Sequence, residues 1–203
     1  MIARAPVAAF AALVALGLPG APAAAAPVPP ALLAAARLQG YWTASGVVTK
    51  AVNVPGEHRG DLVTRTWAFV PVCPTGACPT VQLVRQRATG YDDIVLHSVQ
   101  PGVFVGTGSF YAPARCGATL FRKGELVPYT ITVMITGVAQ QPDGSVLATT
   151  FAATYRNARR FGLTRCYSAP SYDSASYVGA PATAPPSAGA IRRERRTPSS
   201  TGS

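Results

Sequence analysis

Two histidines, a pair of adjacent carboxylates and four cysteines are the residues of this chain that could do chemistry, and their spacing decides which. His58 lies in the polar loop Pro55-Gly56-Glu57-His58-Arg59-Gly60, with Asp61 following. His97 falls in a strand, on the face shared by Val95 and Val99, where a half-buried side chain is expected. A hydrolytic set of His97, Asp92 or Asp93, and Ser109 has no spacing behind it, because such triads are defined by geometry. Asp92 and Asp93 are neighbours on a strand and point to opposite faces, poor placement for paired acid and base work. Two histidines without an obvious third ligand do not specify a metal site. The sequence holds no Gly-x-Ser-x-Gly elbow and no Gly-rich phosphate loop. The expectation is a non-enzymatic protein with no cofactor, no metal and no catalytic residue.

The cysteines point elsewhere. Residues 1–25 read as a secretory signal: Arg4, an apolar run from Val7 to Leu18, Pro19-Gly20, and then small residues from Ala23 to Ala26. Cleavage is expected after Ala25, with an uncleaved anchor as the alternative. No cysteine precedes Cys73, which argues against a lipid anchor, and no later run is apolar and long enough to span a bilayer. The mature chain is expected to be secreted, and in an oxidising compartment an even cysteine count reads as disulfides. Cys73 and Cys78 enclose Pro74-Thr75-Gly76-Ala77, a reversal that brings their sulfurs together. Cys116 and Cys166 then pair by elimination. In the chain-entropy model the short bridge contributes roughly 2 kcal/mol and the long one roughly 4 kcal/mol. A four-cysteine zinc site would need a second close pair, and the spacing is not Cys-x-x-Cys.

These bridges need a frame, and the frame is β. From Tyr41 to Tyr167 the chain is rich in Val, Thr, Ile, Tyr and Phe, punctuated by Gly and Pro. Thr130–Thr136 alternates cleanly, with Ile131, Val133 and Ile135 on one face. Leu147–Tyr155 alternates too, with Leu147, Phe151 and Tyr155 opposed to Ala148, Ala152 and Thr154. A hairpin turn at Gln141-Pro142-Asp143-Gly144-Ser145 joins them. The other strands are expected at 41–52, 63–72, 80–88, 93–99, 103–112 and 118–121. Short links favour an antiparallel meander, and closure removes its two edges. The fold class is therefore all-β, an up-and-down barrel of about 8 strands, with a two-sheet sandwich as the alternative. The domain organisation follows: signal 1–25, Pro/Ala-rich linker 26–37, disulfide-stabilised barrel 38–168, and a disordered Ala/Pro/Ser-rich tail 169–203 with an Arg-rich end.

Leu38-Gln39-Gly40-Tyr41-Trp42 resembles the Leu-x-Gly-x-Trp opening of lipocalin-like and avidin-like barrels. That resemblance implies that Gly40 bends the chain into the barrel floor and that Trp42 closes it, beneath Arg156 or Arg165. The Thr-Asp-Tyr turn of lipocalins and their helix after the last strand are missing. A longer stretch resembles a group of exported bacterial β-domains without an assigned activity. It runs from Arg65-x-Trp67-x-Phe69 through Pro71-x-Cys73, Gly76-x-Cys78, Pro101-Gly102 and Phe110-Tyr111 to Cys116. This second resemblance implies secretion and the same disulfide pairing.

The formal net charge is +10: +1 from the signal, +3 from Arg192-Arg193-Glu194-Arg195-Arg196 and +6 from the rest. Sixteen of the eighteen basic residues are arginine, as in a GC-rich bacterial genome. Arg85 and Arg87 share a strand face, and Arg156, Arg159 and Arg160 cluster. A solvated basic face is expected, able to attract anionic envelope components but not nucleic acid. Two functions follow. In the first, the barrel binds a small, partly apolar ligand in space left by Gly106, Gly108, Ala148 and Ala152. In the second, a filled core serves a structural or interaction domain of the cell envelope.

Overall fold

Alternating burial along each strand builds the architecture. Near the middle of one such strand Trp67 and Phe69 are buried while Thr64 and Val70 are exposed, a period of two. A computed structural model describes residues 27–87, 90–166 and 169–182. It contains a short helix α1 (Pro30–Ala35) and ten strands: β1 (Ala36–Arg37), β2 (Gly40–Val52), β3 (Leu62–Pro71), β4 (Thr80–Gln86), β5 (Tyr91–Gln100), β6 (Val103–Cys116), β7 (Thr119–Gln140), β8 (Val146–Asn157), β9 (Phe161–Gly162) and β10 (Tyr172–Pro181).

Strands β2 to β8 pair in sequence, and β10 pairs antiparallel with both β8 and β2. The result is a closed, eight-stranded, antiparallel up-and-down barrel, with β1 and β9 as additions to β8 and β7. No sandwich forms. The turn at 141–145 is a hairpin as expected: Asp143 Oδ1 accepts from the Ser145 amide at 2.9 Å, and Gly144 takes φ +83°.

The eighth barrel strand is not where the sequence places it. The segments expected at 118–121 and 130–136 are one strand, β7. The strand that closes the barrel, β10, comes from the stretch assigned to a disordered tail beginning at Ala169. Its Asp173, Ala175 and Tyr177 face inward with small neighbours, so it lacks the row of large apolar residues that marks the others. The remaining tail, 183–203, and the signal, 1–25, lie outside the described residues. Within the expected linker at 26–37, Leu32 and Leu33 of α1 pack on the core, and Ala36 is buried. In β8 the phase slips at the Gly137–Thr150 irregularity. Val146 and Ala148 are therefore buried ahead of Phe151, and Leu147 is not, opposite to the expected alternation.

Aromatic rings pack against one another inside the barrel. Trp67 stacks on Phe151 with centroids 5.4 Å apart, and Trp42 and Phe69 pack round the same ring. At two of the wall glycines an aromatic side chain from a neighbouring strand takes the space. A Cβ on Gly108 would lie 2.5 Å from the Tyr129 hydroxyl, and one on Gly179 would run into the Phe151 ring. A Cβ on Gly106 would meet the Val95 carbonyl oxygen at 2.6 Å and Leu96 Cδ2 at 2.7 Å. Gly108 and Gly179 are thus small where aromatic rings pass close to the wall. Gly179→Ala should cost about 1–3 kcal/mol through overpacking, read as a lower urea midpoint with unchanged slope.

Candidate functional site

The barrel has two unlike ends. At the end nearer α1, Gly40 takes φ +84°, and the Trp42 Nε1 donates to the Gln39 carbonyl at 2.9 Å. Trp42 is 1% exposed, a packing residue as expected. Neither of the arginines expected over it lies there. Arg156 sits at the far end of β8, where Tyr155 and Asn157 face inward and Arg156 therefore faces solvent. Arg165 is also exposed, next to Cys166 at that far end. The expected Trp42–arginine floor is corrected on both counts. Both disulfides are present, Cys73–Cys78 and Cys116–Cys166. Arg37 of β1 clasps the first loop, donating to the Cys73 carbonyl at 2.7 Å and the Gly76 carbonyl at 2.8 Å.

The far end holds the charged groups. The alternation of β4 carries Arg85 inward in phase with Val81 and Leu83, and β5 carries Asp92 in phase with Ile94 and Leu96. The β4–β5 register sets these two opposite each other. Arg85 Nε and Nη2 donate to the two Asp92 oxygens at 3.1 and 2.8 Å, a bidentate pair. The Arg85 guanidinium also lies 4.4 Å from the Tyr129 ring centroid and 4.9 Å from that of Tyr155. The Tyr129 hydroxyl donates to Asp92 Oδ2 at 2.6 Å, and Arg87 Nε approaches the same oxygen at 3.7 Å. A second set stands beside it: Arg160 donates to Asp173 Oδ1 at 2.8 and 3.1 Å and to Glu125 Oε2 at 3.4 Å. The solvated basic face expected for Arg85 and Arg87 is corrected. Arg85 is 5% exposed and sits inside the barrel.

The electrostatics make this layer a plug. Burial alone would pull the Arg85 guanidinium down, but the hydrogen bond and charge of Asp92 outweigh it and hold Arg85 above its ordinary value. Asp173 does the same for Arg160 against burial. Burial, reinforced by the hydrogen bond to Asp92, pushes the Tyr129 hydroxyl well up, and burial with the charge of Asp173 does so for Tyr155. Neither phenol is poised as a base near neutral pH, and each buried guanidinium is already held by a carboxylate.

Glu57, in the loop between β2 and β3, is raised above its ordinary 4.5, first by burial and then by Asp173, with Arg160 and Arg65 opposing. A raised carboxyl favours the fold in its protonated form. That contribution is complete below pH 4.5 and is lost as pH rises through the folded value. Glu57→Gln should therefore raise the thermal midpoint by about 1–2 °C at pH 7, an advantage that disappears in scans below pH 4.5.

The other expected site residues are dispersed. His58 is solvated, its Nδ1 3.6 Å from Asp61 Oδ2. His97 is exposed on the outer wall, not half-buried, and is opposite Thr80 and Val105. Ser109 is outside as well, four residues further along β6 and opposite Pro128. Asp92 faces inward and Asp93 outward, as alternation requires. Among the described residues, no three His, Cys, Asp or Glu side chains converge as for a metal ion, and no helix is long and apolar enough to cross a membrane. The outer wall carries an open groove of about 570 Å³ over β2, β10, β8 and β7, floored by small residues such as Ser45, Ala152 and Ser176 and edged by Met134 and Val178.

The Arg85–Asp92 pair had a signal in the sequence. Each residue keeps step with an apolar stripe, Val81-x-Leu83-x-Arg85 and Asp92-x-Ile94-x-Leu96, which is how an inward charge reads on a strand. The class these features define is a closed antiparallel barrel with an aromatic core and a charged plug. Comparison with protein-family models, with curated proteins and with solved structures gave no match for this chain.

Proposed function

We propose that this chain is an exported, non-catalytic domain that works through its outer surface, with the barrel as a rigid, filled scaffold. The observation that carries this reading is the interior packing: Trp67 on Phe151 in the middle, and Arg85 between Tyr129 and Tyr155 above it. A barrel of eight strands is just wide enough for side chains to fill, and these side chains do so. The two disulfides and the signal-like pattern of residues 1–25 support export to an oxidising compartment. The cell-envelope role and the absence of catalysis are part of the same proposal.

A small, partly apolar ligand is the second reading, supported by the outer groove rather than by a lumen. Its volume of about 570 Å³ falls in the range of ligand sites. Native mass spectrometry of the mature, oxidised chain separates the two. The first reading expects the polypeptide mass alone and no thermal shift across a panel of small, partly apolar metabolites. A bound species that recurs between preparations, and is lost on Val178→Asp, would establish the second.

A further inference from the structure

Strands β6 and β7 run past the barrel as a two-stranded flap. Their pairing continues from Tyr111 opposite Leu126 to Cys116 opposite Thr119. The flap is braced on its open side: β9 pairs with Glu125 and Leu126, the Leu163 amide donates to the Gly124 carbonyl at 2.8 Å, and Cys116 is bonded to Cys166. On this brace large apolar side chains stand in solvent. Leu120 is 51% exposed, Phe121 41%, Phe161 43% and Leu163 53%.

Cations surround them. Arg115, Arg122, Lys123, Arg156, Arg159 and Arg165 are exposed. Glu125 is the sole carboxylate in residues 109–126 and 156–166, and it is buried against Arg160. Lys123 lies over the Tyr111 ring at 5.0 Å and Arg159 over the Phe161 ring at 5.3 Å. The flap and its brace therefore present exposed apolar side chains interleaved with exposed cations.

We propose that this flap is a membrane-docking device for an anionic lipid surface, a proposal that rests on the surface-acting reading above and names its partner. The two kinds of side chain match the two layers of such a surface. Cations meet lipid phosphates, while leucine and phenylalanine enter the boundary of the acyl chains. A soluble polyanion would use the cations alone and would leave Leu120, Phe121 and Leu163 in water. The disulfide and β9 hold the tip in shape, so little conformational freedom is lost on docking.

The test is co-sedimentation of the mature, oxidised full chain with phosphatidylcholine vesicles, with and without phosphatidylglycerol. Binding should be about tenfold stronger with the anionic lipid and should weaken with added salt. Leu120→Ser with Phe121→Ser, and separately Arg122→Ser with Lys123→Ser, should each weaken it about tenfold with an unchanged circular dichroism spectrum and thermal midpoint. No binding to anionic vesicles overturns the proposal. So does full binding by the Leu120/Phe121 variant, which would assign the contact to charge alone or to the arginines at 192–196. In either case a bare native mass leaves the surface-acting reading standing, and a recurrent bound small molecule that is lost on Val178→Asp removes that reading whatever the vesicles show.

Discussion

Asp92→Ala should destabilise the protein by about 3–5 kcal/mol at neutral pH, the cost of leaving a buried charge without its partner. Asp92 is the acceptor for both Arg85 donors and for the Tyr129 hydroxyl. It also separates Arg85 from Arg87, since both guanidiniums approach Oδ2. Without it two cations face each other inside a wall of aromatic rings. The thermal midpoint should fall on the order of 10 °C. Arg85→Met in the same background should recover much of the loss, because the orphaned charge goes with it. A fall of only a degree or two for Asp92→Ala would mean that water reaches the pair and that the plug is open.

Phe151→Ala should cost about 3–5 kcal/mol, for a different reason. The Phe151 ring is fully buried and touches both tryptophans and Phe69, with centroid distances of 5.1, 5.4 and 5.4 Å to Trp42, Trp67 and Phe69. Its removal opens a cavity at the centre of the core that rigid strands cannot close. The effect should be coupled to Gly179, which is glycine because this ring leans on it. The penalty of Gly179→Ala should therefore vanish in the Phe151→Ala background, and urea denaturation of the four proteins in the cycle reads that coupling.

The strands β2 to β6 and β8 were legible in the sequence because each carries an apolar stripe at a period of two, whereas β7 was read as two segments with 122–129 unassigned. The barrel followed from their number and their short links. The closing strand β10 was not legible. A residue opposite Phe151 must be Gly179, and one near the filled centre must be Ala175, so the packing that makes β10 necessary also removes its apolar signature. Flanking Ser, Ala and Pro then read as tail. The sequence left a ligand-holding and a filled interior open, because Gly106 and Gly108 suggest space when read alone; in the fold the Val95 carbonyl and Leu96 lie against Gly106 and the Tyr129 hydroxyl against Gly108. Arg156 was assigned to Trp42 from the resemblance to lipocalin-like barrels. The phase of β8, set by inward Tyr155 and Asn157, turns it to solvent. The disulfides were legible because Pro74 and Gly76 close the short loop and only one pairing then remained.

The chain contains two tryptophans, Trp42 and Trp67, and both are in the barrel interior, 1% and 0% exposed. Their fluorescence therefore reports directly on whether that interior is closed. A filled barrel predicts blue-shifted emission, weak quenching by acrylamide, and a spectrum that does not change when apolar dyes or fatty acids are added. Strong quenching in the folded, oxidised protein, or a saturable change of emission on adding such ligands, would contradict it.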